Sequence, residues 1–224
     1  MGGSSLTESA DIPRLEAYTL GQTGKSRPRV CFLPTASADA DNYIVSFYAA
    51  MLKLDCQPTH LKLFERVDDL RARLFSQDVI YVGGGNTKSM LGVWREYGLP
   101  EILHQAWQQG IILSGSSAGA VCWFEQSLTD AYASGLTVLN CLGFLKGSLI
   151  PHYDSESERR PAYHRALLQD EILPGYALED GVALHYIGNQ LHRILSVRAG
   201  GRAYHVQRTG EAVLEVEIEA EYLE

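Results

Sequence analysis

Cysteine is scarce in this sequence, with four residues in 224, at positions 31, 56, 122 and 141. No two of them stand in C-x-x-C spacing, which argues against a metal knuckle. Thiols scattered in this way suit small buried hydrophobes in a reducing compartment. No run of about 18 apolar residues occurs, and no charged segment followed by an apolar stretch opens the chain. Basic residues are the minority, 19 Lys and Arg against 27 Asp and Glu, for a formal net charge of -8. Phosphate binding needs a basic face, so nucleic acid is excluded as the main partner and anionic membranes are disfavoured. Repeats, low-complexity segments and linker-like stretches are missing too. These absences lead to one expected domain over residues 1–224, a cytoplasmic location and no cofactor or metal. They leave room for a homodimer.

What is present is enough for a real core. Apolar residues make up 46% of the chain, and a chain of this size hides roughly 70% of its unfolded surface. Residues 1–9 are rich in Gly and Ser and are expected to be mobile. Residues 29–33 (R-V-C-F-L) form a short apolar run stopped by Pro34, which reads as a buried strand. Apolar residues then recur at helical spacing over 42–54. A strand is expected near 60–63, a short helix over 68–75 and a buried strand at 78–82 (D-V-I-Y-V). Helices follow to about Tyr97 and over 100–109, then a strand at 111–113. A helical run is expected from the next glycine cluster to about Gln126. Strand and helix alternate throughout this half, the mark of βαβ units and a mostly parallel sheet with helices on both faces. Beyond residue 176 the texture becomes β segments (176–184, 190–197, 203–207, 212–218) between Gly-rich turns. These read as antiparallel additions at a sheet edge. The acidic residues alternating with apolar ones in the last segment read as a solvated strand face.

Between the strand at 111–113 and the next helix lies Gly115-Ser116-Ser117-Ala118-Gly119, which fits G-x-S-x-G. A sharp strand-to-helix turn holds its central residue in strained geometry and projects the hydroxyl. Flanking glycines let strand and helix approach each other. Ser117 is the expected nucleophile, because its neighbours at minus two and plus two are both Gly; Ser116 is the competitor. The helix N-terminus behind it offers free N–H groups for an oxyanion, with Ala118 as the first donor. The bland reading is a serine turn capping a helix.

A second cluster, Gly83-Gly84-Gly85-Asn86-Thr87, ends a parallel strand, where open α/β sheets bind ligands. It lacks the third glycine of G-x-G-x-x-G and the Gly-Lys-Ser/Thr of a phosphate loop, so a nucleotide is the weaker idea. Gly84 or Gly85 could supply a second oxyanion donor; an ordinary βα turn capped by Asn86 or Thr87 explains the same residues. Among seven histidines, His152 follows Leu149-Ile150-Pro151 at a strand end and is the expected base. Asp130 and Glu179 are the candidate orienting acids, and spacing does not choose between them.

Taken in order, Val82-Gly83-Gly84-Gly85-Asn86-Thr87, Gly115-Ser116-Ser117-Ala118-Gly119-Ala120, Pro151-His152-Tyr153 and Leu178-Glu179-Asp180-Gly181 resemble the peptidase E family of serine peptidases. That family includes aspartyl dipeptidases and, more distantly, cyanophycinases. The resemblance spans about residues 29–207. It implies a fold like the class I glutamine amidotransferases, with Ser117 as nucleophile and His152 as base. Aspartyl dipeptidases place the acid between the two, which points to Asp130. Cyanophycinase-like members point to Glu179 instead, which could otherwise bind the substrate's amino group. Asn86 is an expected substrate contact. So is Arg160, which the resemblance suggests holds an acidic side chain; Arg159 and Arg165 flank it. Family members usually begin with a hydrophobic strand leading into a glycine-rich loop. Here Met1-Gly2-Gly3-Ser4 looks like that loop alone, so the strand is expected to be absent or encoded upstream. The resulting expectation is an exopeptidase that cleaves short peptides through an acyl-enzyme. The alternatives are an esterase-type acyl hydrolase, for which the 107 residues after Ser117 leave little room, and a degenerate binding module.

Overall fold

A computed structural model describes residues 1–3, 13–132 and 135–224. The chain divides into two compact units, Ser5–Gly119 and Met1–Ser4 with Ala120–Glu224.

In the first unit, α1 (Arg14–Gly21) precedes β1 (Arg29–Leu33), a 3-10 turn (Thr35–Ser37), α2 (Asp41–Met51) and β2 (Gln57–His60). Then come α3 (Leu70–Phe75), β3 (Val79–Val82), α4 (Thr87–Glu96), α5 (Leu99–Gln108) and β4 (Ile112–Gly115). The strands form one parallel sheet in the order β2-β1-β3-β4. All four residues of β3 are buried, as a strand covered on both faces requires. On α4, Thr87, Met90, Leu91 and Trp94 are buried, an i, i+3, i+4, i+7 stripe that seats the helix. Asn86 caps it, its Oδ1 accepting the Ser89 N–H at 2.8 Å.

The chain continues through α6 (Ala118–Val121) into β5 (Phe124–Thr129), β6 (Thr137–Asn140), β7 (Leu145–Ile150), α7 (Arg159–Leu168) and β8 (Gly175–Leu178). Next are β9 (Val182–Ile187), β10 (Gln190–Ser196), β11 (Arg202–Thr209), β12 (Ala212–Glu219) and β13 (Glu221–Tyr222). Within the second unit β12-β11-β8-β7-β5-β6 form one sheet and β13-β10-β9 another. Strands β5, β7 and β8 run parallel; β6, β11 and β12 are antiparallel to their neighbours. Helix α7 shares a core with the larger sheet through Tyr163, Ala166, Leu167, Ile150, Ala177 and Val206.

The expected α/β architecture, a parallel sheet flanked by helices with antiparallel strands toward the C-terminus, is what the chain adopts. Three boundaries differ. The strand expected at 60–63 lies at Gln57–His60, where it pairs with β1 from Arg29 to Phe32. The helix expected to reach Gln126 is four residues long and gives way to β5. Bulky Phe124 at its start suits a pleated surface better than a helix, and Ser127 Oγ donates to the Leu149 carbonyl at 2.6 Å across the strands. Glu125, expected on that helix, therefore stands on β5, where Lys146 and the Gly147 N–H bind its carboxylate. The β segment expected over 176–184 is broken by a turn at 179–181, with Gly181 at φ 78°. Residues 4–9 of the segment expected to be mobile lie outside the described residues. Ahead of them, Gly2 donates its N–H to the Val182 carbonyl at 2.8 Å, and Gly3 accepts from the Gly181 N–H. Among the described residues no helix is long and apolar enough to cross a membrane. All four cysteines are free thiols; Cys31, Cys56 and Cys122 are buried and Cys141 is half-buried.

Gly119 marks the tightest packing of α6. A Cβ built there would fall 2.5 Å from the Val82 carbonyl carbon and closer still to its oxygen. Gly119→Ala is expected to destabilise the protein by about 1–3 kcal/mol, as overpacking does. Urea unfolding of the two proteins checks this.

Candidate active site

The G-x-S-x-G segment forms a strand-to-helix elbow. Ser117 sits at φ 52°, a left-handed conformation that costs a non-glycine residue about 1–3 kcal/mol and concentrates at functional sites. Its neighbours make the bend possible: a Cβ on Gly115 would fall 2.6 Å from the Gly119 carbonyl carbon and 2.6 Å from Val82 O. Ser116 donates its N–H to that same Val82 oxygen at 3.2 Å and is buried, whereas Ser117 is half-buried. The bend thus exposes the second serine rather than the first. The N–H of Ala118 opens α6 on a buried residue and has no acceptor among the described residues. A buried donor without a partner is uncommon and calls for an explanation.

The triple glycine packs beside this elbow. A Cβ on Gly84 would lie 3.4 Å from Ser117 Cβ, so the two predicted site residues do meet. Gly84 donates its N–H to the Tyr43 hydroxyl at 3.1 Å. Gly85 is exposed and its N–H has no acceptor among the described residues. Asn86 spends its side-chain oxygen on the α4 cap.

In the second unit His152 follows β7 and Pro151, at φ 55°. Its Nδ1 is 2.8 Å from Asp180 Oδ1. A carboxylate can only accept here, so Nδ1–H is the donor and Nε2 is the basic nitrogen. The carboxylate that meets His152 is thus that of Asp180, and neither Asp130 nor Glu179, the expected acids, makes that contact. Asp130 is exposed just past the end of β5 and makes no hydrogen bond or ion pair among the described residues. Glu179 is committed elsewhere: it accepts from Arg198 Nη2, the Arg202 N–H and the Tyr204 hydroxyl, each at 3.1 Å. The cause is local. The chain leaves β8 at Leu178, and in the turn that follows Glu179 is held by Arg198, Arg202 and Tyr204 while Asp180 meets the histidine. The signal available in Leu178-Glu179-Asp180-Gly181 was a second carboxylate next to Glu179, and naming Glu179 alone as the candidate passed over it.

Two further contacts fix the dyad. Asp154 Oδ1 accepts the Asp180 N–H at 2.9 Å, and its Oδ2 accepts from Arg198 Nη1 at 2.9 Å. Burial works against the Asp154 charge, but these hydrogen bonds outweigh it and hold the carboxyl below its ordinary range. Gly3 lies over the pair: a Cβ there would fall 2.6 Å from His152 Nδ1 and Cε1, and closer still to Asp180 Oδ1. Arg160 sits 4.6 Å from the Tyr153 ring centroid and 4.8 Å from that of Tyr204, and pairs with Glu215 at 3.4 Å. Glu215 also takes the Tyr153 hydroxyl at 2.7 Å and His164 Nε2 at 2.9 Å. Arg159 is buried on Glu156 and the Leu128 carbonyl.

Elbow, glycine triplet and histidine–aspartate dyad are the parts of a serine hydrolase. The model of peptidase family S51 matches residues 1–194, and the chain belongs to that family; it is a peptidase of the serine type. It is 47% identical over 224 residues to the uncharacterized peptidase YgaJ of Bacillus subtilis (strain 168), covering 100% of this chain and 97% of that protein. It is 28% identical over 210 residues to a Peptidase E of Streptomyces coelicolor (strain ATCC BAA-471 / A3(2) / M145), covering 85% and 79%. Among solved structures, a peptidase from an acI-B1 Actinobacterium has the same fold, with a TM-score of 0.72 at 16% identity over 98% of this chain and 92% of that one.

Asp154 also generates a pH prediction. A carboxyl whose folded pKa is depressed contributes stability that is present above the unfolded value of about 3.9 and is lost as pH falls through the folded value. Asp154→Asn is therefore expected to be less stable than wild type at pH 6, with the gap closing below about pH 4. Thermal melts of both proteins across that range measure it.

Proposed function

We propose that the protein is an exopeptidase that cleaves short peptides through an acyl-enzyme, with Ser117 as nucleophile and His152, oriented by Asp180, as base. The observation that carries this reading is the left-handed Ser117 at a strand-to-helix elbow, together with an imidazole whose tautomer a carboxylate sets. Ser117 Oγ attacks the scissile carbonyl and its proton passes to His152 Nε2. The carbonyl π pair moves onto oxygen, where the Ala118 N–H stabilises it, with Gly85 as a further candidate donor. Collapse breaks the C–N bond, the leaving amine takes the proton from His152, and water repeats the sequence on the ester. An esterase would use the same parts; membership of a peptidase family favours the amide.

Ser117→Ala is expected to abolish both hydrolysis of a di- to tetrapeptide library and labelling by a fluorophosphonate, while the melt stays unchanged. Asp180→Asn should lower kcat on the order of 10^4-fold, the effect of fixing the wrong tautomer. Asp130→Asn should stay within a few-fold of wild type. Full activity in Ser117→Ala, or equal losses for Asp180→Asn and Asp130→Asn, would overturn these assignments.

The preferred substrate carries an acidic residue at its N-terminal position, and Arg160 is its partner. The supporting observation is a half-exposed guanidinium held between two rings, one of them Tyr153, the neighbour of the base. A substrate carboxylate would compete there with Glu215, so discrimination is expected at about tenfold, the low end for a charge-assisted pair. Asp-X dipeptides should be cleaved faster than Ala-X and Leu-X, and Arg160→Ala should erase the difference. Equal turnover of all three by wild type refutes the preference.

A further inference from the structure

Of the two glycines expected to stabilise an oxyanion, Gly84 lies against Ser117 but has already spent its N–H. The acceptor is the Tyr43 hydroxyl, at 3.1 Å. The triplet explains how a side chain from α2 comes to stand there. A Cβ on Gly83 would fall 2.8 Å from Tyr43 Cε1 and 2.9 Å from Phe32 Cε2, so a bare backbone at 83 admits both rings. Phe32 meets the Tyr43 ring edge-on, with centroids 5.2 Å apart and planes at 80°. At Gly84 the same construction places a Cβ 3.4 Å from Ser117 Cβ and 3.9 Å from the Tyr43 oxygen. Nucleophile and phenol therefore flank one glycine, with no side chain between them.

A phenol oxygen that accepts one hydrogen bond still has its proton to give. That proton has no acceptor among the described residues. We propose that the Tyr43 O–H is an oxyanion donor, occupying the place expected of the Gly84 N–H and polarised by it. This rests on the serine acyl-transfer reading above. As Ser117 Oγ bonds to the scissile carbon, the carbonyl π pair moves to oxygen and receives hydrogen bonds from Tyr43 Oη–H and the Ala118 N–H. The phenol keeps its proton throughout; the proton of Ser117 goes to His152 and then to the leaving amine. Hydrogen bonds in series strengthen one another in a site of low dielectric constant, so a phenol fed by an amide is a better donor than a phenol alone. Burial raises the Tyr43 pKa above its ordinary value, against the Gly84 hydrogen bond, so the donor form persists at neutral pH.

The competing account is that the hydroxyl merely occupies the Gly84 amide. The two accounts predict opposite signs. Removing the oxygen in Tyr43→Phe keeps the ring contact with Phe32 and frees the Gly84 N–H. If the hydroxyl is the donor, kcat on the best-cleaved library peptide falls about 10^2–10^3-fold, the usual cost of one oxyanion donor. KM should stay within about threefold, and fluorophosphonate labelling of Ser117 should slow by at least tenfold. A rate that is unchanged or higher in Tyr43→Phe overturns the proposal. Wild-type labelling at Ser117, lost in Ser117→Ala, is the separate control: its failure would sink the serine mechanism rather than the role of Tyr43. Installing 3-fluorotyrosine at position 43 covers the case in which Tyr43→Phe folds poorly. The ring keeps its shape but ionises more readily, so the alkaline limb of the kcat profile should move to lower pH. An unmoved limb overturns the proposal too.

Discussion

The carbonyl of Val82 is the point on which the elbow turns. It ends β3 beside the last residue of β4, with Val82 in register with Gly115. It accepts the Ser116 N–H, and both Gly115 and Gly119 approach it more closely than any residue with a Cβ could. One oxygen thus anchors the chain before the bend and passes within contact of it afterwards. The only way through is a reversal of direction over the single residue Ser117, whose left-handed φ is the result. Burying Ser116 and baring the flanking positions leaves the residue at 117 to make the bend.

The dyad is held on a different principle. Its turn, residues 179–181, presents two carboxylates and uses both. Asp180 orients the imidazole. Glu179 ties the turn to Arg198, Tyr204 and the Arg202 backbone, and Arg198 closes the circuit through Asp154 back to the Asp180 N–H. The acid that touches the histidine is thereby fixed by acids that do not. This agrees with the general behaviour of satisfied polar networks, which lock a geometry because every member has its partner.

Much of this was legible in the residues. Runs such as V-I-Y-V and R-V-C-F-L announce buried parallel strands, and their alternation with helical stretches announces the architecture. The spacing of Gly115, Ser117 and Gly119 marked the elbow, because glycines at minus two and plus two answer to a local geometric need. What stayed hidden depended on contacts distant in sequence. Asp130 and Glu179 stood as the candidate acids because order along the chain says nothing about which carboxylate the fold brings to His152. Phe124 to Gln126 continued a helical pattern until cross-strand bonding claimed them for β5. Tyr43 carried no signal at all: nothing local distinguishes it from any other tyrosine in the first turn of a helix, and only the bare Gly83 opposite gives it a place.

Gly2 and Gly3 reach across the turn that carries Asp180, bonding to Val182 and Gly181. The groups they bond to stand some 180 residues further along the chain. Closing a loop of that length carries only a modest extra entropic cost over a shorter one, but it sets an order of events. Gly2 and Gly3 can settle over the histidine–aspartate pair only once β8 and the start of β9 exist. The cover of the dyad therefore cannot form on a chain that lacks residues 181 and 182. A chain halted between residues 152 and 178 carries the elbow residues and the base but neither Asp180 nor the groups that Gly2 and Gly3 bond to.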